Sequence, residues 1–214
     1  MIRSLRVARA TAMKARTQAI NALKGLLVTA PAELREQLGG LSAVRLVQTA
    51  AVLELGPVTT PVAAARLGLR TLARRYQALS AELRVLDAEL DRLTVSAAPK
   101  LVALFGVGPD SAGALLVAAG DNPDRLRSNA CFSMLCGSSP IEASSGKTRR
   151  HRLNRGGDRQ ANAALYRIVV ARLRHDQQTK DYLARRLREG KSKKEAIRCL
   201  KRYVAREVFA ALPR

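Results

Sequence analysis

The chain of 214 residues carries 38 Lys and Arg against 17 Asp and Glu, a formal net charge of +21, with 47% hydrophobic residues and 3% aromatic ones. That apolar content suffices for one ordinary core plus an extension, or for two small domains, so the chain is expected to fold. So large a charge calls for a polyanion, nucleic acid above all, while the absence of Trp argues against anchoring at a membrane interface and against base stacking as the main mode of contact.

In chain order, residues 2–28 form an Ala-rich candidate helix with Leu5, Ala12, Ala19 and Leu26 seven apart, ending before Pro31. Shorter helices are predicted at 31–38 and 42–54, separated by Gly39-Gly40 and closed by Gly56-Pro57. From about Thr60 to Leu93 the periodicity is the clearest in the chain. Leu72, Tyr76, Leu79, Leu83, Leu86, Leu90 and Leu93 alternate four and three apart and share one helix seam, the pattern of a coiled coil. Such a seam suits a hairpin with the chain's own first helix and a dimer equally, so a homo-oligomer through this arm stands as an expectation beside intramolecular pairing. Residues 1–97 read as a helical, coiled-coil-like arm, and Thr94 to Lys100 as its linker to a compact domain over 98–214.

Leu101 to Gly120 resembles a helix-hairpin-helix element: an apolar helix, a Gly106-Val107-Gly108 turn, and a second helix from about Pro109. Gly106 and Gly108 permit positive φ, and free N–H groups at the second helix start suit a DNA phosphate. A plain helix hairpin with glycine caps fits the same pattern. Asp121 and Asp124 flank Asn122-Pro123, which reads as a helix-start turn in preference to a metal site. A short buried helix is expected at 129–136. Asp158 stands as the N-cap of a helix through about Arg174, with Ala161, Leu165, Val169 and Leu173 on its apolar face. Two basic amphipathic helices follow at about 178–188 and 192–211, divided by Gly190. No segment alternates as a strand would, so the fold class is all-α. Residues 141–214 carry 21 basic and 7 acidic side chains against 17 and 10 in residues 1–140, which directs the phosphate-binding surface to the C-terminal end.

Between these helices, Cys136 to Gln160 sets Ser144-Ser145-Gly146 directly ahead of a dense basic cluster. A hydroxyl nucleophile, a glycine that lets backbone come close, and fixed positive charge are the parts needed to attack a phosphodiester. Of Ser138, Ser139, Ser144 and Ser145, the preferred nucleophile is Ser145, because Gly146 follows it; Ser144 is the second candidate. Lys147, Arg149, Arg150, Arg152 and Arg155 could hold phosphate oxygens and stabilise charge on a pentavalent transition state, with simple backbone grip the plainer role for many of them. His151 is an available base or acid, but an isolated His in an Arg cluster is more often a phosphate contact, and it is not counted as catalytic.

Cys131, Cys136 and Cys199 are odd in number and lack CxxC spacing, which points to a reduced, cytoplasmic protein in place of a disulfide framework. Combined with His151 or His175 their spacing fits no zinc pattern, so no metal site is expected in this chain. No apolar run approaches the ~18 residues of a membrane span, and scattered Arg replaces a signal-peptide core, so no membrane contact is expected.

Pro140, Ser145-Gly146, the run from Arg149 to Arg155 and Gly156-Gly157-Asp158 together resemble the C-terminal domain of transposases of the insertion-sequence 110/116/902 family, specifically over residues 98–212 and more loosely before them. The resemblance implies DNA transposition. Ser145, five residues after Pro140, stands where the family has its catalytic serine; its attack on DNA would leave a phosphoserine link and a free 3′ hydroxyl, keeping the bond energy for rejoining without ATP. The resemblance also implies a structured guide RNA as partner and an N-terminal RNase-H-like domain with four carboxylates holding Mg2+. No acidic strand precedes the arm, so the expectation is a truncated transposase that binds DNA without recombining it. On charge alone, the alternative is a non-catalytic DNA- or RNA-binding protein.

Overall fold

The computed structural model describes residues 1–122, 124, 126–147 and 151–213. Among them are ten helices and one two-stranded ribbon, the all-α fold that the periodicity predicts. By its internal packing the chain divides into one unit over Arg3–Glu89 and another over Leu90–Arg214.

The first unit holds α1 (Ile2–Val28), α2 (Ala32–Leu38), α3 (Ala43–Ala51) and most of α4 (Pro61–Ala97). Thr60 starts α4 by accepting the Ala63 N–H at 3.2 Å, and Pro61 sits in the first turn, where its missing N–H costs nothing. Three contacts reveal how the leucine seam is used. The Arg16 guanidinium lies 5.8 Å from the centre of the Tyr76 ring, Arg9 pairs with Asp87, and a side chain on Gly68 would come within 2.9 Å of Leu26 Cδ2. As the partners rise along α4 they fall along α1, which is an antiparallel hairpin. As far as Asp87 the seam packs on the chain's own first helix, and the heptads supply no separate reason for a second copy, because their spacing suits either partner.

Beneath the hairpin, Leu23, Leu27, Leu34, Leu38, Leu46 and Leu69 form the core of this unit. Two arginines that a charge count would reserve for a polyanion are consumed here. Arg70 donates to the Leu53 carbonyl at 3.2 Å and Arg74 to the Ala51 carbonyl at 3.1 Å, covering carbonyls that the end of α3 leaves without helical partners.

Thr94 to Lys100 is not irregular chain: α4 continues to Ala97, and after Ala98 alone α5 (Pro99–Val102) begins. Thr94 and Ala98 are buried, and Pro99 is the first residue after Leu93 that cannot extend a helix. Beyond α5 come α6 (Pro109–Ala119), α7 (Asn129–Leu135), α8 (Arg159–His175), α9 (Gln177–Arg188) and α10 (Lys193–Ala211).

Helix α8 is the hub of the second unit, packing against α6, α9 and α10, while α10 also covers α7. Its residues Ala161, Ala164, Leu165, Ile168 and Val169 are fully buried, three and four apart as one helix face requires. Phe132 of α7 is also fully buried, 6.1 Å from the Phe209 ring of α10. Ser128, Asp158, Asp176 and Ser192 cap α7, α8, α9 and α10 through their side chains, and Ser192 completes a capping box with Glu195. Asp124 N–H donates to Asn122 Oδ1 at 3.0 Å, the turn that the sequence suggests there.

One element was not expected. β1 (Ile141–Glu142) and β2 (His151–Arg152) pair antiparallel, Ile141 opposite Arg152 and Glu142 opposite His151. Strands of two residues are too short for alternation to register in a sequence.

Candidate functional site

The two chain ends that enter and leave the ribbon meet at Gly137 and Gly157, at φ +61° and +88°. A Cβ on Gly157 would lie 2.6 Å from both Leu135 O and Gly137 N; one on Gly137 would lie 2.6 Å from Gly156 O. Conformation and space both demand glycine at these two positions, so backbone packs directly on backbone. The Asp158 N–H donates to the Leu135 carbonyl at 2.6 Å, and its carboxylate accepts the Ala161 N–H at 2.8 Å to start α8. The motif residues Gly156-Gly157-Asp158 are thus a clamp and a helix start.

Asn162 of α8 ties the clamp to the core. Its amide donates to the carbonyls of Cys136 at 2.7 Å and Gly137 at 3.2 Å, and its Oδ1 accepts from Lys201 Nζ of α10 at 2.9 Å. Lys201 is only 7% exposed, and burial, with Arg198 beside it, lowers its pKa. Ser138 and Ser139 turn back on α7: both amides donate to the Ser133 carbonyl, at 2.8 and 3.2 Å, the Ser138 hydroxyl does so at 3.2 Å, and Ser139 Oγ accepts from Arg202. These two serines are buried and engaged in holding the loop. Burial, and secondarily the charge of Asp158, pushes the Cys136 thiol up to about 12, so it stays protonated and unreactive.

Past the clamp the ribbon ends in Ser144, Ser145, Gly146 and Lys147. Ser145 is exposed, whereas Ser144 donates its hydroxyl proton to Glu142 Oε1 at 2.6 Å. Lys147, Arg152 and Arg155 are exposed as well. Arg149 and Arg150 lie outside the described residues.

Beside the base of the ribbon opens a cleft of about 680 Å³. Arg152 of β2 lines one wall, Arg185 and Arg186 of α9 another, and Lys191 leads to the third. There α10 contributes Arg198, Lys201, Arg202 and Arg206. Glu195 is the one carboxylate among the described lining residues, held ionised by hydrogen bonds from Ser192 and neighbouring Arg198. Tyr182 and Tyr203 meet edge to face at 5.6 Å, with Arg185 over the first ring at 5.3 Å and Arg206 over the second at 5.9 Å.

Of the cations predicted for the site, Arg152 lines this cleft, and Lys147 and Arg155 do not. Most of the charge comes from α9 and α10, which sequence reasoning left as a basic tail. A signal existed: Arg198, Arg202 and Arg206 are four apart and form a stripe along one helix. Asn162 and Lys201 were also missed, and nothing in sequence distinguishes them, since their importance lies in contacts across 39 residues.

The glycine turn of the expected helix-hairpin-helix is elsewhere. Gly106, at φ +80°, is closed in by α8, where a Cβ would meet Ile168 O and Arg172 Cγ at 3.3 Å each. Arg172 donates to the Phe105 carbonyl at 2.9 Å and grips Glu207 with both terminal nitrogens, at 3.1 and 2.7 Å. Gly108 caps α6 at φ −90°, and Asp110 in the first turn pairs with Arg167 at 2.9 Å, so a carboxylate already occupies the positive end of that helix. No group of three His, Cys, Asp or Glu among the described residues could hold a metal ion, and no described helix is long and apolar enough to cross a membrane.

Residues 98–184 match the model of the transposase IS116/IS110/IS902 family. The chain is also similar to an uncharacterized 43.6 kDa protein of insertion element IS110 from Streptomyces coelicolor, 29% identical over 145 residues that cover 66% of this chain and 36% of that protein. The chain thus matches little more than a third of that relative's length.

Proposed function

From the premise that residues 98–184 form a domain of the IS116/IS110/IS902 transposase family, we propose that the chain acts in DNA transposition, gripping DNA and attacking one of its phosphodiesters through Ser145. The observation that carries this reading is the division of labour in the ribbon. Its base is locked by Gly137, Gly157 and Asn162, its tip presents an exposed serine followed by Gly146, and cations line the cleft alongside. A nucleophile must be held in place yet reachable, and positive charge near the phosphorus stabilises the pentavalent transition state.

In the proposed step the Ser145 Oγ–P bond forms as the P–O3′ bond breaks. The serine proton passes to solvent or a nearby base, and the departing 3′ oxygen takes up a proton to become a hydroxyl. The phosphoserine conserves one ester bond, so the reverse attack by a 3′ hydroxyl of another strand rejoins DNA without an external energy source. The preference for Ser145 rests on its exposure and on Gly146 beside it; Ser144 is only partly exposed and donates its hydroxyl proton to Glu142.

The test is a denaturing gel of the purified chain after incubation with labelled duplex DNA. The wild type is expected to give a covalent protein–DNA band, Ser144→Ala to keep it, and Ser145→Ala to lose it. A band that survives Ser145→Ala would refute the assignment. Binding without any band in the wild type would favour the non-catalytic DNA-binding reading.

A further inference from the structure

We propose that the cleft between α9, α10 and β2 is a binding site for the DNA sugar-phosphate backbone, resting on the reading of Ser145 as the attacking group. The cations there are disposed to receive phosphates. Arg198, Arg202 and Arg206 follow one another at four-residue intervals, a rise of about 6 Å each along a helix, close to the reach between neighbouring phosphates of one strand. Among the described residues, Arg152, Arg202 and Arg206 have no carboxylate partner within ion-pair distance, and the single lining carboxylate, Glu195, is engaged by Ser192 and Arg198. Lys201 is desolvated against Asn162, and Arg202 is fixed on Ser139. Both positive charges are therefore preoriented before any ligand arrives, which lowers the ordering cost of binding.

Continuity with the serine selects DNA as the occupant over a separate RNA. His151 lines the cleft, its strand partner Glu142 lies about 5 Å across the ladder, and Ser145 is three residues further on, so the nucleophile lies no more than about 15 Å from the cleft. At about 6 Å between neighbouring phosphates, that is roughly two to three phosphates of one strand. A backbone seated in the cleft would continue onto the serine without a break.

The experiment measures the salt dependence of binding to a non-specific 20-bp DNA duplex and to an RNA duplex of the same sequence, in a Ser145→Ala background, so that failure of the attack leaves it interpretable. Arg152→Gln, Lys191→Gln and Arg206→Gln combined remove three exposed charges. If each meets one phosphate, the log–log salt slope on DNA falls by about 2.7, so the affinity lost between 50 and 200 mM salt is about 40-fold smaller than for the parent. The matched control, Arg3→Gln, Arg35→Gln and Arg45→Gln, changes three exposed charges of the first unit and is expected to leave the slope within one phosphate equivalent. Arg152→Lys with Arg206→Lys, which keeps the charge, is expected to keep the slope. Equal flattening by the two Gln triples would show that net charge and not the cleft grips DNA. No flattening by the cleft triple, or flattening on RNA alone, would overturn the proposal; a wild-type chain that gripped DNA through the cleft yet formed no adduct would overturn only the serine mechanism.

Discussion

At its base the β1–β2 ribbon is closed by Gly137 against Gly157, held by Asn162 and Lys201, and backed by Ser138 and Ser139 folded onto α7. At its tip no described residue lies within 4 Å of where a Gly146 side chain would be, and Ser145 is exposed. Both ends contain serines and glycines, so composition does not separate them. What separates them is whether backbone or solvent lies alongside. The contrast explains how an exposed pair of residues can still be aimed: the tip is carried on a base that admits one arrangement.

Chemistry should separate the ends most sharply. Ser145→Ala is expected to abolish the covalent adduct while changing DNA affinity less than about two-fold, since an exposed hydroxyl contributes little to grip. Ser139→Ala should retain the adduct, because Ser139 acts by accepting from Arg202. Loss of the adduct in Ser139→Ala with retention in Ser145→Ala would invert the comparison.

Thiol reactivity gives the next largest effect. With its pKa raised to about 12 from an ordinary 9.0, Cys136 holds roughly a thousand-fold less thiolate near neutral pH than an ordinary thiol. Iodoacetamide at pH 8 should label the exposed Cys131 and spare Cys136, as read by peptide mass spectrometry. Raising the pH towards 12 increases the thiolate fraction, so any Cys136 labelling should rise with pH. Rapid labelling of Cys136 at pH 8 would mean that the base opens readily.

Glycine replacements probe the same contrast through stability. Gly157→Ala forces a Cβ into backbone atoms 2.6 Å away and should cost about 3 kcal/mol, seen as a lower urea midpoint at unchanged slope. Gly146→Ala meets no neighbour within 4 Å among the described residues and pays for its φ of +55°, about 1 kcal/mol. Equal losses would deny the base its special status.

Asn162→Ala should be milder than Gly157→Ala, about 2 kcal/mol, because it strands two carbonyls and the Lys201 ammonium without inserting any atom. The same variant should raise the labelling of Cys136, whose carbonyl Asn162 holds. A stability loss below about 0.5 kcal/mol would show that water replaces the amide freely.

Much of the helical frame was legible because it follows from local signals. Ile2–Val28 ends ahead of Pro31, Asp158 caps α8, and the spacing of Ala161, Leu165 and Val169 marks a buried face that the structure uses. The leucines of α4 announced a paired helix but not its partner, and the partner is α1. The Thr94 to Lys100 stretch misled because a polar Thr and small alanines resemble a linker, while burial of Thr94 and Ala98 lets the helix run on to Ala97.

By itself, then, the sequence determined the helices, their caps, the serine-glycine pair and the concentration of charge toward the C-terminal end, since each depends on residues within a turn or two of one another. Tertiary structure alone decided which charges act together. Arg70 and Arg74 serve the end of α3, Arg172 is spent on Glu207 and the Gly106 turn, and Arg198, Arg202 and Arg206 are brought opposite Arg152 to line one cleft. Guanidinium groups are chemically identical along the chain; their roles diverge only when folding sets a carbonyl, a carboxylate or open solvent in front of each.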